Sequence, residues 1–166
     1  MNKNYLTLVY DNFNKYQTLK KIKNECGKRT IIFLCVGNSK IWYDSFGPVI
    51  GSLLKMLNCG YYVYGNTQSN ITAKNIKDYI EMIYKFHENP YIIVFDNAIS
   101  NESNPTLKII KGQTTCAAMS DDNIKVGNLS IIYCFNNKHL KEKNNYYEML
   151  NEIKKVLRLI KFSFDF

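Results

Sequence analysis

A chain of 166 residues and 19.4 kDa is long enough for one hydrophobic core that needs neither disulfides nor metal to hold it. Its composition, 46% hydrophobic and 22% charged, excludes a mainly disordered or fibrous chain, and no run approaches the roughly 18 apolar residues of a membrane span. The formal charge of +8 would suit an anionic partner, but only Arg29 and Arg158 are arginines, the side chain that reads bases and grips phosphate bidentately. We therefore expect no specific nucleic-acid partner and no membrane association. The start MNKNYLTLVYDNF has no apolar signal core, and Cys26, Cys35, Cys59, Cys116 and Cys134 form no CxxC pair. Both features suit buried thiols in a reducing cytoplasm.

Without internal repeats or a Pro/Gly/Ser-rich linker, residues 1–166 read as a single domain. Tyr5, Val9, Phe13, Tyr16 and Leu19 are spaced as one face of a helix over 5–25. The run from Lys28 to Val36 is apolar and β-branched, as in a strand covered on both faces. It ends at Gly37-Asn38-Ser39. A helix is expected from Asp44 or Ser45, either of which suits an N-cap, with Pro48 in the first turn and Gly60 at its end. Tyr61–Tyr64 reads as a second strand. Ile76, Tyr79, Ile80, Ile83 and Phe86 mark a helix stopped by Asn89-Pro90. Tyr91–Phe95 reads as a third strand ending at Asp96, with further strands at Thr106–Ile110 and Leu129–Phe135. Tyr146, Leu150, Ile153, Leu157 and Ile160 mark a final helix.

Strands alternating with helices imply an α/β domain, a three-layer α/β/α sandwich with a mainly parallel sheet. Such sheets bind ligands beyond the carboxyl ends of their strands. Asp44 and Asp96, remote in sequence, both fall at such ends. Two close carboxylates repel, so one holds its proton more tightly, and the pair then offers a base for water and an acid for a leaving group. The alternative is that Asp44 merely caps a helix and Asp96 a loop. Trp42 and Tyr43 either wall the crevice or staple the next helix. Asp44 and Asp96, with Asn38 or water, would at most hold Mg²⁺ or Ca²⁺ weakly, and no required metal or cofactor is expected. His87 lies at the wrong end of a helix, His139 reads as a loop histidine, and Cys116 has no neighbouring base to make it a nucleophile. Gly37, Gly47 and Gly51 lack the spacing of a phosphate loop.

Four segments carry a family resemblance. GNSKIWYDSFGPVIG resembles the glycine, variable loop and D-[SA]-[LF]-G-P of the germination protease of spore-forming bacteria and of its smaller relatives, the sporulation protein YyaC family. YGNTQSNITAKNI, IIVFDNA and VGNLSIIYCFN resemble, in the same order, later segments of the YyaC pattern, so the resemblance spans about residues 29–136. It implies the phosphorylase/hydrolase-like α/β/α fold shared with hydrogenase-maturation endopeptidases. It also implies that Asp44 and Asp96 match the protease's two catalytic aspartates. Asn38, Trp42, Tyr43 and Asn97 would then contact a protein or peptide substrate such as small acid-soluble spore proteins. Asn38 and backbone N–H groups of the 37–47 loop would steady the oxyanion. A homo-oligomer and a forespore location are further expectations carried from the family. The chain departs from the family in KGQTTCAAMSDDNIKVG, where YyaC proteins carry G-P-L-x-P-G-x-G, and it lacks room for the pro-segment and insertions of the protease. A non-catalytic sporulation factor that binds a protein through the same groove is the alternative.

Overall fold

The computed structural model describes residues 3–101, 104–116, 124–136, 138 and 144–166, apart from the side chains of 3–13, 16 and 144. Its first helix, α1 (Lys3–Cys26), buries Leu19, Ile22 and Cys26. The expected face at Tyr5, Val9, Phe13 and Tyr16, and His139, lie outside the described residues. Strand β1 (Ile31–Cys35) follows, and its apolar run is buried on both faces as its composition requires: Phe33 and Cys35 enter one core, Ile32 and Leu34 the other.

A short 3-10 turn, Trp42–Asp44, leads into helix α2 (Phe46–Met56). Pro48 sits in its first turn, as expected. Neither Asp44 nor Ser45 caps it through its side chain. Ser45 occupies the N-cap position, but its hydroxyl donates backward to the Trp42 carbonyl at 2.7 Å. The helix also stops before Gly60, at Met56, because Asn58 already takes a left-handed conformation, φ 47°. Strand β2 (Tyr62–Tyr64) and helix α3 (Ile76–Phe86) come next. Ile76 and Ile83 are buried, whereas Phe86, expected on the same face, is exposed.

Strand β3 (Tyr91–Ile99) runs past Asp96, and β4 (Thr106–Lys111) and β7 (Leu129–Phe135) complete a five-stranded sheet in the order β2-β1-β3-β7-β4. All neighbours are parallel except β4 against β7, so the sheet is mainly parallel. Within the stretch 111–127, β5 (Thr114–Cys116) and β6 (Ile124–Val126) form an antiparallel ribbon that the sequence pattern does not announce. The last helix, α4 (Asn144–Phe164), buries Met149, Ile153, Val156, Ile160 and Phe164, with Leu150 and Leu157 at the margin and Tyr146 exposed.

Helices α1, α2 and α4 cover one face of the sheet; α3 and the β5–β6 ribbon cover the other. The result is an α/β/α sandwich. No described helix is long and apolar enough to cross a membrane. The chain moves outward from β1 to β2 and then returns across β1 to β3. The order therefore reverses between β1 and β3, and a parallel sheet opens a crevice at that point.

Candidate active site

The crevice exists because β1 ends while β3 continues. Cys35 pairs with Phe95, and Val36 N–H donates to the Phe95 carbonyl at 2.8 Å. Beyond Val36 the chain turns away through Gly37, whose φ of 134° is costly for any residue with a Cβ; such a carbon would also strike the Asp44 backbone. Asp96 then stands beside the gap, paired only with Ile132 of β7 on its other side.

The Trp42–Asp44 turn brings Asp44 back to this gap. Asn38 N–H donates to Asp44 Oδ2 at 2.8 Å and to the Asp44 carbonyl at 2.9 Å, which fixes the carboxylate against the turn. Asn70 ties the same loop down: its Oδ1 accepts Ser39 N–H at 3.2 Å. Helix α2 approaches the β1 and β3 ends closely because Gly47 carries no Cβ, which would meet the carbonyls of Val36 and Phe95.

Asp96 is 8% exposed. Burial pushes its carboxyl up to about 7, and the nearby Asp44 charge pushes in the same direction; the Asn97 N–H, on Oδ1 at 2.8 Å, and the Cys116 thiol oppose the shift. Burial also raises Asp44, against the pull of the Asn38 N–H. The Asp44 charge raises Asp96, so Asp44 is the acid that ionises first. Neither acid pairs with a lysine or arginine among the described residues.

The other expected site residues distribute unevenly. Trp42 and Tyr43 pack edge to face, 5.8 Å between centroids, and both meet Phe135 at the end of β7, at 6.3 and 6.4 Å. Their ring contacts thus go across the sheet end to β7. Asn97 alternates with Asp96 and so belongs to the opposite face. Its Oδ1 accepts the Phe46 N–H at 3.2 Å, supplying from β3 the cap that Ser45 does not give. Asn97 Nδ2 is buried without a partner. The Asn38 side chain accepts Lys40 N–H at 3.0 Å.

The expected oxyanion role of the 37–47 amides fails over most of that loop. The N–H groups of Gly37, Asn38, Ser39, Lys40 and Ile41, and of Asp44, Ser45 and Phe46, already donate within the fold. A tight turn that holds Asp44 consumes its own donors.

Cys116 is the residue that sequence reasoning set aside. It is fully buried on β5, and the Asp96 charge is among the causes that raise its thiol. Nothing in the local pattern TTCAAM signals this, because the proximity depends on a ribbon folding over β3. His87 sits apart, its Nε2 2.8 Å from the Tyr64 hydroxyl. Asp44 and Asp96 would supply two carboxylates to a cation, yet among the described residues no third His, Cys, Asp or Glu completes a metal-holding group. Two cavities of about 370 and 380 Å³ lie elsewhere, one between Arg29 and Tyr61 below the sheet and one between Lys55 and Tyr79 at its edge.

A family model described as "Protein of unknown function (DUF1256)" matches residues 5–162, nearly the whole chain. The chain belongs to the DUF1256 family. It is 36% identical over 76 residues to "Uncharacterized protein YyaC" of Bacillus subtilis (strain 168). That stretch covers 45% of this chain and 37% of the relative, so the chain aligns to well under half the length of the curated relative it matches. Membership agrees with the YyaC-like segments, two of which carry Asp44 and Asp96.

Proposed function

We propose that this DUF1256 protein is a spore-associated, peptidase-like hydrolase that uses Asp44 and Asp96 to activate water against a peptide bond. The observation that carries the reading is the unequal proton affinity of two carboxylates at one crevice, where Asp96 feels the Asp44 charge and titrates near neutrality. The resemblance of the Asp44 and Asp96 segments to those of the germination protease adds to it, and suggests a protein or peptide substrate such as small acid-soluble spore proteins.

The protonation order assigns the roles. Asp96 keeps its proton up to about 7, and the Asp44 charge that helps to hold it there is already present as Asp96 titrates. Asp44 accepts a proton from water as the water oxygen bonds to the carbonyl carbon. Asp96 then gives its proton to the amide nitrogen as the carbon–nitrogen bond breaks. Afterward Asp96 carries the charge and Asp44 the proton, and exchange with solvent resets the pair. Trp42, Tyr43 and Phe135 wall the β7 side and suit an apolar substrate side chain.

The slight exposure of Asp96 favours one alternative, a non-catalytic factor that holds a protein over the same groove. Incubating the protein, and its Asp44→Asn and Asp96→Asn variants, with small acid-soluble spore proteins and a peptide library separates the two. Cleavage by the unaltered protein that both variants lose supports the hydrolase. Capture of the substrate without cleavage supports the binding factor.

A further inference from the structure

Strand β2 stands at the edge of the sheet. It pairs with β1 along Tyr62–Tyr64, and no described strand pairs with its other side. An edge strand directs part of its N–H and C=O groups outward, where they can template a further strand. A cavity of about 380 Å³ lies beside this edge. Lys55 lines it from α2, whereas Asp78, Tyr79 and Met82 line it from α3, and those two helices cover opposite faces of the sheet. A space bordered from both faces, and by Val63 and Tyr64 between them, lies around the margin of β2, where a sixth strand would add.

The walls of this groove are already fixed. The Tyr79 hydroxyl lies 3.0 Å from Ser69 Oγ, and the Tyr64 hydroxyl 2.8 Å from His87 Nε2. Lys55 and Asp78 are exposed, and neither has an ion pair among the described residues. We propose that the groove binds an extended peptide segment of another protein as an added strand. Successive side chains of such a strand turn to opposite faces, so an acidic one reaches Lys55 on the α2 side while a basic or apolar one meets Asp78, Tyr79 and Met82 on the α3 side. Charge favours this occupant over a second copy of the chain. Two β2 edges paired antiparallel about a two-fold axis normal to the sheet keep α2 beside α2 and α3 beside α3, which sets lysine against lysine and aspartate against aspartate. The groove also adjoins the loop that presents Asp44: beyond β2, the Thr67 carbonyl accepts Ser39 Oγ at 3.0 Å and Asn70 Oδ1 accepts Ser39 N–H at 3.2 Å. Binding at the β2 edge nevertheless requires no cleavage by the aspartate pair.

The test titrates the full chain with two blocked octapeptides rich in valine and threonine, which carry one glutamate and one lysine on opposite strand faces in either order. Amide NMR should show saturable shifts and slowed hydrogen exchange at Tyr62–Gly65 with at least one of them. The same peptide N-methylated at alternate residues, which removes its donors, should not bind. Lys55→Glu should weaken binding about fivefold, and exchanging the peptide's glutamate for lysine should restore it. Absence of saturable shifts with both peptides through millimolar concentration overturns the proposal, as does equal binding of the N-methylated form. Affinity unmoved in both Lys55→Glu and Asp78→Lys also overturns it. Concentration-dependent dimerisation that protects the β2 amides without peptide would assign the edge to a second copy and overturn it too. Asp44→Asn and Asp96→Asn should bind the peptide unchanged, so loss of cleavage in those variants is a separate result.

Discussion

The charge on Asp44 raises the proton affinity of Asp96 across the gap that opens where β1 stops and β3 continues. Each acid has its own anchor: the Asn38 N–H for Asp44 and the Asn97 N–H for Asp96.

Burying Asp96 makes stability depend on pH. Its ordinary value of 3.8 in the unfolded chain rises to about 7 in the folded protein. Below pH 4 both states hold the proton. Between pH 4 and 7 the unfolded chain releases it while the folded protein keeps it, so this group's contribution falls as pH rises and levels off above 7. Asp96→Asn should remove that slope, gaining about 2–4 kcal/mol on the unaltered protein between pH 4 and pH 8. Urea unfolding at the two pH values checks it; parallel pH dependence in both proteins would count against a buried, raised Asp96.

If peptide cleavage is found, its rate should follow a bell-shaped pH profile. The acid limb belongs to Asp44 ionisation and the alkaline limb, near pH 7, to loss of the Asp96 proton. A rate still climbing at pH 9 would be inconsistent with Asp96 as the acid.

Gly47 sets how near α2 comes to the strand ends. In Gly47→Ala the new methyl would lie against the Val36 and Phe95 carbonyls, 2.7 Å from the latter, with backbone on both sides and little freedom to move. We expect a loss of about 2–4 kcal/mol, read as a lower urea midpoint, with changed amide shifts at Asp44 and Asp96. An unchanged midpoint would show that the helix can retreat at little cost.

Asn70 holds the loop that presents Asp44, through Ser39 N–H and the Asn38 carboxamide. Asn70→Ala should cost about 1–2 kcal/mol and speed hydrogen exchange at Ser39 while sparing the sheet. Undiminished protection at Ser39 would exclude the tether.

The sheet was legible because β1, β3 and β7 are continuous apolar runs, each with room on both faces for burial. Asp44 does follow β1, as the pattern of strands suggests, but β3 continues past Asp96 to Ile99, so the expected strand end there is instead the place where its neighbour β1 stops. Less visible were features that depend on contacts across the chain. Local rules award the α2 cap to Ser45, but Asn97 provides it from another strand. The face of α4 rotates from Tyr146 toward Met149 and Phe164 because α1 and the sheet decide which side is buried. The β5–β6 ribbon, and with it Cys116, falls in a polar stretch without alternation strong enough to mark strands.

The most direct measurement is the Asp96 midpoint in the unaltered protein and in Asp44→Asn. The account predicts a midpoint near 7 in the first and a fall of about one pH unit in the second, with burial keeping it above the ordinary 3.8. A midpoint that ignores the loss of Asp44, or one near 4 from the outset, would mean that the two carboxylates do not share a site.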